Sequence, residues 1–84
     1  MYKLFFDKAV YKQLKNVPEK DYDKIMEAIA GLATNPRPAG AKKLTNRPGY
    51  RIRQGNYRII YFIKDEILTI IIVAAGHRKD IYFF

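Results

Sequence analysis

Apolar residues recur along this chain with two different spacings, and the change from one to the other divides it into elements. Residues 2–6 form a short aromatic and aliphatic run, Tyr-Lys-Leu-Phe-Phe, which predicts a strand. Asp7 is a side chain suited to cap a helix running to about Asn16. Within it Val10, Tyr11, Leu14 and Val17 fall at helical intervals. Pro18 then opens a second helix, where its missing N–H costs nothing, and Glu19, Asp21 and Asp23 suit the positive end of that helix. Tyr22, Ile25, Met26, Ile29, Leu32 and Ala33 continue at i, i+3 and i+4, giving one apolar stripe. Asn35-Pro36 stops it, because the residue before a proline is pushed out of the α region.

Residues 36–49 hold three of the four prolines and two of the five glycines and read as a surface loop. Three strand-like runs follow, at 50–53, 57–63 and 67–75. Gly55-Asn56 is a candidate two-residue turn between the first two, and Lys64-Asp65-Glu66 separates the second from the third. Residues 67–75 are apolar at nearly every position, which predicts a central strand covered on both faces. The expected architecture is therefore α+β: an N-terminal strand, a two-helix hairpin, then an antiparallel meander in one domain spanning 1–84.

Composition narrows the possible functions. Hydrophobic residues make up 49% of the chain, enough for a packed core, and the longest apolar run is far too short to cross a bilayer. With no cysteine and a single histidine, disulfides are excluded and a metal site is not expected. No signal peptide is visible, so the expectation is a cytoplasmic protein without cofactor or metal. Charge changes the picture more. Between Ala28 and Lys64 there is no Asp or Glu, but there are eight basic residues: Arg37, Lys42, Lys43, Arg47, Arg51, Arg53, Arg58 and Lys64. Elsewhere basic and acidic residues balance, so the formal charge of +8 comes from this one stretch. Cations without nearby acids have no internal partner to neutralise them, which points to a polyanion bound at one place.

The candidate turn makes that expectation geometric. A two-residue loop at Gly55-Asn56 sets Gln54 opposite Tyr57 and Arg53 opposite Arg58, with Arg51 two residues along on the same face. Opposed like charges destabilise a sheet unless an anion sits between them, and the planar guanidinium fork matches phosphate oxygens. A three-residue turn would send Arg58 to the other face. The competing reading of these arginines is a solvated strand face, or a charged edge that discourages aggregation. Gly76-His77-Arg78 follows the last apolar run, with Lys79, Asp80, Ile81 and Tyr82 after it. His77 is the side chain here whose ordinary pKa of about 6.5 suits proton transfer near neutral pH. The competing readings, which isolated residues of these types more often bear out, are an ordinary surface histidine, Arg78 as a partner for Asp80, and Tyr82 as packing rather than a stacking ring.

Taken in order, Asn35-Pro36-Arg37-Pro38, Lys43-Leu44, residues 47–53 (Arg-Pro-Gly-Tyr-Arg-Ile-Arg), residues 55–61 (Gly-Asn-Tyr-Arg-Ile-Ile-Tyr) and Gly76-His77-Arg78 with Tyr82 resemble the RelE branch of the RelE/ParE toxins of toxin–antitoxin pairs. The resemblance covers essentially the full chain. It implies the microbial-ribonuclease-like fold of that family and a metal-independent endoribonuclease. Such a toxin enters the ribosomal A site and cuts mRNA by attack of the RNA 2′-OH on the adjacent phosphate. The matching positions imply that Arg58 stabilises the transition-state phosphate, Arg78 lies at the scissile phosphate and leaving group, and Tyr82 orients a nucleotide by stacking. Lys42, Lys43, Arg47, Arg51 and Arg53 are expected to bind RNA.

Arg51 and Arg53 depart from the family pattern, since the best-known member has lysines there. An arginine cannot serve as a base, so the two can only bind and stabilise. That leaves His77 as the expected proton carrier. The partners implied are an acidic RelB-like antitoxin that covers the basic surface, the ribosome with its mRNA, and promoter DNA reached only through the antitoxin. The alternatives are a ParE-like inhibitor of DNA gyrase without nuclease activity, and a nucleic-acid-binding domain without catalysis.

Overall fold

The computed structural model describes residues 1–81. Strand β1 (Lys3–Phe6) leads through Asp7 into α1 (Lys8–Leu14). The Asp7 carboxylate accepts a hydrogen bond from Ala9 N at 2.9 Å, the expected cap. Pro18 immediately precedes α2 (Glu19–Leu32), whose first turn carries Glu19 and Asp21. Within the segment expected to be a plain loop, Lys42–Lys43 form a two-residue strand, β2. The meander continues as β3 (Tyr50–Gln54), β4 (Tyr57–Lys64), a single 3₁₀ turn at Asp65–Ile67 and β5 (Thr69–His77).

One five-stranded sheet results, in the order β1-β5-β4-β3-β2, with only β1 and β5 parallel. The chain therefore starts at one edge, crosses a face as two helices, and returns strand by strand until β5 lies beside β1. This is the antiparallel-dominated α+β fold that the order of elements predicts. The helices bury Val10, Leu14, Ile25, Ile29 and Leu32 against Ile52, Ile59, Tyr61, Ile70, Ile72 and Ala75 of the sheet. Among the described residues, no helix is long and apolar enough to cross a membrane.

Among the described residues, no helix covers the opposite face. At its centre Ile60 and Ala74 pack with Ile81, from the segment that follows β5. Gly76 eases this approach: a Cβ there would meet Ile81 Cγ1 at 3.3 Å, a tight contact that the isoleucine would have to yield to by a few tenths of an ångström. Two tyrosines predicted on the helical stripe, Tyr11 and Tyr22, are instead 65% and 40% exposed. They flank an apolar groove between the helices rather than closing it.

An irregularity in β5 decides which side chains share a face. Ile60 pairs with Ala74 and Tyr61 with Ile72, so Val73 is an extra residue without an opposite number. Ile72 and Ala75, three apart, consequently both face the helices. Every side chain after the bulge lies on the face opposite to the one that simple alternation would give it.

Candidate nucleic-acid interface

The β3–β4 turn has the predicted two residues, with Gly55 at φ +59°, a conformation that favours glycine. Its register sets Gln54 opposite Tyr57, Arg53 opposite Arg58 and Arg51 opposite Ile60. Ile52 and Ile59 point into the helix-side core, so Arg51, Arg53 and Arg58 emerge together on the other face. Lys42 of β2 is paired with Arg51 and joins that side, whereas Lys43 is paired with Tyr50 and turns the other way. Both lysines are exposed, as is Arg47 in the turn before β3, where it lines a shallow hollow beside Ile60 and Phe62.

No acid among the described residues compensates the charge of the arginine row. Among the described residues, the ion pair present joins Arg37 to Asp65, and no carboxylate pairs with Arg51, Arg53 or Arg58. Burial, and then the positive charges of Arg53 and Arg58, hold the Arg51 guanidinium below the usual arginine range. Arg58 is half-buried, and its Nε lies buried with no hydrogen-bond partner among the described residues. A buried donor left unpaired costs about 1–3 kcal/mol, so this arrangement is not what stability alone would select. A non-bridging phosphate oxygen would satisfy that donor and screen the row at once.

Arg37 behaves differently from the expectation that no cation of the acid-free stretch has an internal partner. Its Nη2 donates to Asp65 Oδ2 at 2.9 Å and its Nε to the Tyr50 hydroxyl at 3.2 Å. The guanidinium also lies 5.4 Å from the centroid of the Tyr50 ring. Tyr2 donates its hydroxyl to the other oxygen of Asp65. The acid comes from outside the stretch, 28 residues along the chain, and the fold folds it back.

Arg78 directly follows β5: its N–H donates to Asn56 O at 2.8 Å, and the residue is exposed. The structure does not bring His77 to the arginines. His77 pairs with Tyr57 after the bulge and therefore lies on the helix side, its ring edge-on to Tyr57 with centroids 5.8 Å apart. Its Nδ1 accepts from Lys79 N at 3.2 Å. Tyr82 lies outside the described residues.

Around Tyr57 is a cluster that the sequence reading does not single out. The Tyr57 hydroxyl donates to Asp21 Oδ2 at 2.9 Å, and this bond raises the phenol above its ordinary pKa. The opposition of Gln54 and Tyr57 follows from the turn, but the contact with Asp21 spans 36 residues and leaves no local signal.

The family model described as the ParE toxin of type II toxin–antitoxin systems (parDE) matches residues 4–82. The toxin RelG of Mycobacterium tuberculosis is 30% identical over 83 residues, covering 96% of this chain and 95% of that protein. The putative toxin RelE1 of Methanocaldococcus jannaschii is 33% identical over 79 residues, covering 89% of this chain and 88% of the other. Among solved structures, the toxin–antitoxin complex RelBE2 of Mycobacterium tuberculosis contains a chain with TM-score 0.81 and 26% identity, covering 92% of this chain and 98% of its own. The open basic sheet face, the register that builds it and these likenesses agree: the chain belongs to the RelE/ParE family of toxins of type II toxin–antitoxin systems, in its RelE branch.

Proposed function

We propose that this toxin is a ribosome-dependent endoribonuclease that cleaves mRNA in the A site. The observation that carries the reading is the row of Arg51, Arg53 and Arg58 on one face of a hairpin, with Arg53 opposite Arg58 and, among the described residues, no carboxylate paired with them and the Arg58 Nε buried and unpaired. In the proposed reaction the RNA 2′-oxygen forms a bond to the adjacent phosphorus as the 2′-OH loses its proton. The bond from phosphorus to the 5′-oxygen breaks, and that oxygen takes up a proton. The products are a cyclic phosphate and a free 5′-OH. Negative charge builds on the non-bridging oxygens, where Arg58, Arg51 and Arg53 would stabilise it, with Arg78 at the leaving group. Lys42, Lys43 and Arg47 would hold flanking phosphates.

From its place on the helix side, His77 is not assigned the proton in this reading. Arginines cannot accept one either. A site that supplies charge stabilisation without a base of its own depends on another surface to align the 2′-OH and accept its proton. That dependence is the physical case for cleavage only on the ribosome. Tyr82 retains its proposed stacking role. The action would be cytoplasmic and need no cofactor.

The related chain in the RelBE2 complex is solved with its antitoxin, which supports a RelB-like antitoxin as the partner here. An acidic segment laid across the arginine row would neutralise it, and promoter DNA would be bound through that complex. The match to the ParE model favours a second reading, inhibition of DNA gyrase. Purified chain on ribosomes stalled at a defined codon, beside naked mRNA and an Arg58→Ala variant, decides between them. Cleavage confined to the ribosome and lost with Arg58 is expected. An uncut message together with blocked gyrase supercoiling would replace the nuclease with the gyrase reading.

A further inference from the structure

At the end of the sheet, two rows of side chains lie one residue apart on opposite faces. Arg53, Arg58 and Gly76 face one another across three strands on the open side. Gln54, Tyr57 and His77 do the same on the helix side. Helix α2 does not cover this second row. It sends Asp21 to the Tyr57 hydroxyl and leaves a hollow of about 300 Å³ lined by Asp21, Lys24, Gln54, Asn56, Tyr57 and His77.

We propose that this hollow is a nucleobase pocket, which takes the base of a nucleotide adjacent to the phosphate held by the arginines and selects bases bearing an exocyclic amine. The proposal rests on the nuclease reading for its substrate and on the hollow for its specificity. Three features favour a base over other ligands. The Tyr57 and His77 rings meet at 78°, so they make a corner against which one planar ring can lie. Gln54 and Asn56 each offer a donor and an acceptor on one side chain, the combination that matches the edge of a base. Asp21 spends Oδ2 on Tyr57, and its Oδ1 has no hydrogen-bond partner among the described residues. A carboxylate oxygen can accept from the amine of adenine, cytosine or guanine, and it repels the O4 carbonyl of uracil. The same oxygen disfavours an acidic peptide or a carboxylate metabolite, while Lys24 suits the phosphate that accompanies a base.

Continuity with the arginine row supplies the route. Asn56 forms the hairpin tip, and Arg78 is bonded to its carbonyl. An RNA strand with one phosphate over Arg58 leaves the sheet past this tip, and the next base turns in beneath it. The bulge at Val73 is what sets His77 in this wall rather than beside the arginines.

The test uses the intact chain, labelled with ¹⁵N, titrated with the four ribonucleoside 5′-monophosphates and with ribose 5-phosphate. The expected result is that AMP, CMP and GMP shift the side-chain amides of Gln54 and Asn56 and the amide of Tyr57. UMP should bind at least threefold more weakly, and ribose 5-phosphate should perturb the arginine row and Lys24 but not the side-chain amides of Gln54 and Asn56. Asp21→Asn keeps an acceptor for Tyr57 and should abolish the discrimination against UMP, and Gln54→Ala should remove the base-dependent shifts. If ribose 5-phosphate reproduces the nucleotide shifts, or base identity makes no difference, the pocket does not read bases. On stalled ribosomes, Gln54→Ala should alter the preferred base at one codon position, whereas Arg58→Ala should lower cleavage at every codon. Base-dependent shifts beside an uncut message would uphold the pocket and overturn the nuclease reading separately.

Discussion

Arg37 and Arg58 lie in the same acid-free stretch of sequence and end in opposite electrostatic circumstances. Arg37 is locked to Asp65 and Tyr50, with its side chain 47% exposed and every contact made to a group that favours its charge. Arg58 faces Arg53 across the hairpin, has no acid against it among the described residues, and buries a donor that nothing accepts. The first arrangement fastens the loop at 36–38 to the turn that follows β4 and is explained by the fold. The second costs the fold something among the described residues, and an anionic ligand of the proposed kind would offset it. Density of basic residues therefore does not separate the two arginines; the partners each has among the described residues do.

The largest effect that separates the two is on cleavage. Arg58→Ala should reduce ribosome-dependent cutting by about 10²–10³-fold, the usual loss when one donor to a developing oxyanion is removed. Arg37→Ala should leave cutting within a few-fold of the parent chain at the same folded concentration. Equal losses from both would mean that charge in general, and not the unpartnered row, supports the reaction.

Stability should move the other way. Arg58→Leu removes a like-charge opposition and a buried unpaired donor and adds apolar surface beside a half-buried position. It should raise the unfolding free energy by about 1 kcal/mol, roughly 4–8 °C in Tm for a chain of this size, while abolishing cleavage. Arg37→Leu strands Asp65 and should lower Tm. A fall in Tm for Arg58→Leu would show that the row is held by something the described contacts omit.

How much of this can be read from sequence depends on the range of each interaction. The Gly55-Asn56 turn is local, and with it came the register of β3 and β4 and the placing of Arg51, Arg53 and Arg58 on one face. The Asp7 cap and the stripe of Ile25, Ile29 and Leu32 are local too. The Arg37–Asp65 pair is not, because the acid lies beyond the stretch that looked acid-free. Nor is the extra residue at Val73, which carries no Gly or Pro to announce it and yet decides that His77 stands with Tyr57. Two residues of β2 are too few for any periodicity, and their partner, β3, supplies the reason they are extended.

Salt gives a smaller but cleaner separation. Binding of a short single-stranded RNA should weaken with ionic strength along a slope set by the number of phosphates neutralised, about 0.7 per contact for a single strand. Arg53→Gln should flatten that slope by about 0.7, since its charge is available to a phosphate. Arg37→Gln should leave the slope unchanged, because its charge is already spent on Asp65. A common change in both slopes would erase the distinction between a partnered and an unpartnered arginine.

The smallest effect concerns acid, and its sign follows from the partners of Asp65. Hydrogen bonds from Arg37 first and Tyr2 second hold that carboxyl below its ordinary pKa of 3.8. A carboxyl depressed in the folded state binds fewer protons there than in the unfolded chain, so stability rises with pH across the interval between the two values. The contribution is complete at neutral pH, starts to fade as pH falls toward the ordinary carboxyl value, and is gone below the depressed one. Asp65→Asn should therefore lower Tm slightly at pH 7, and the curves of the two proteins should converge as the buffer is brought below pH 4. The pair is half exposed on both sides, so added salt should shrink the difference at pH 7 as well. The arginine row predicts the opposite response to salt, because screening relieves repulsion there: in Asp65→Asn, where the corner no longer contributes, Tm should rise with moderate salt. If it falls instead, Arg51, Arg53 and Arg58 are not repelling one another, and the contrast between the two regions fails at its weaker end.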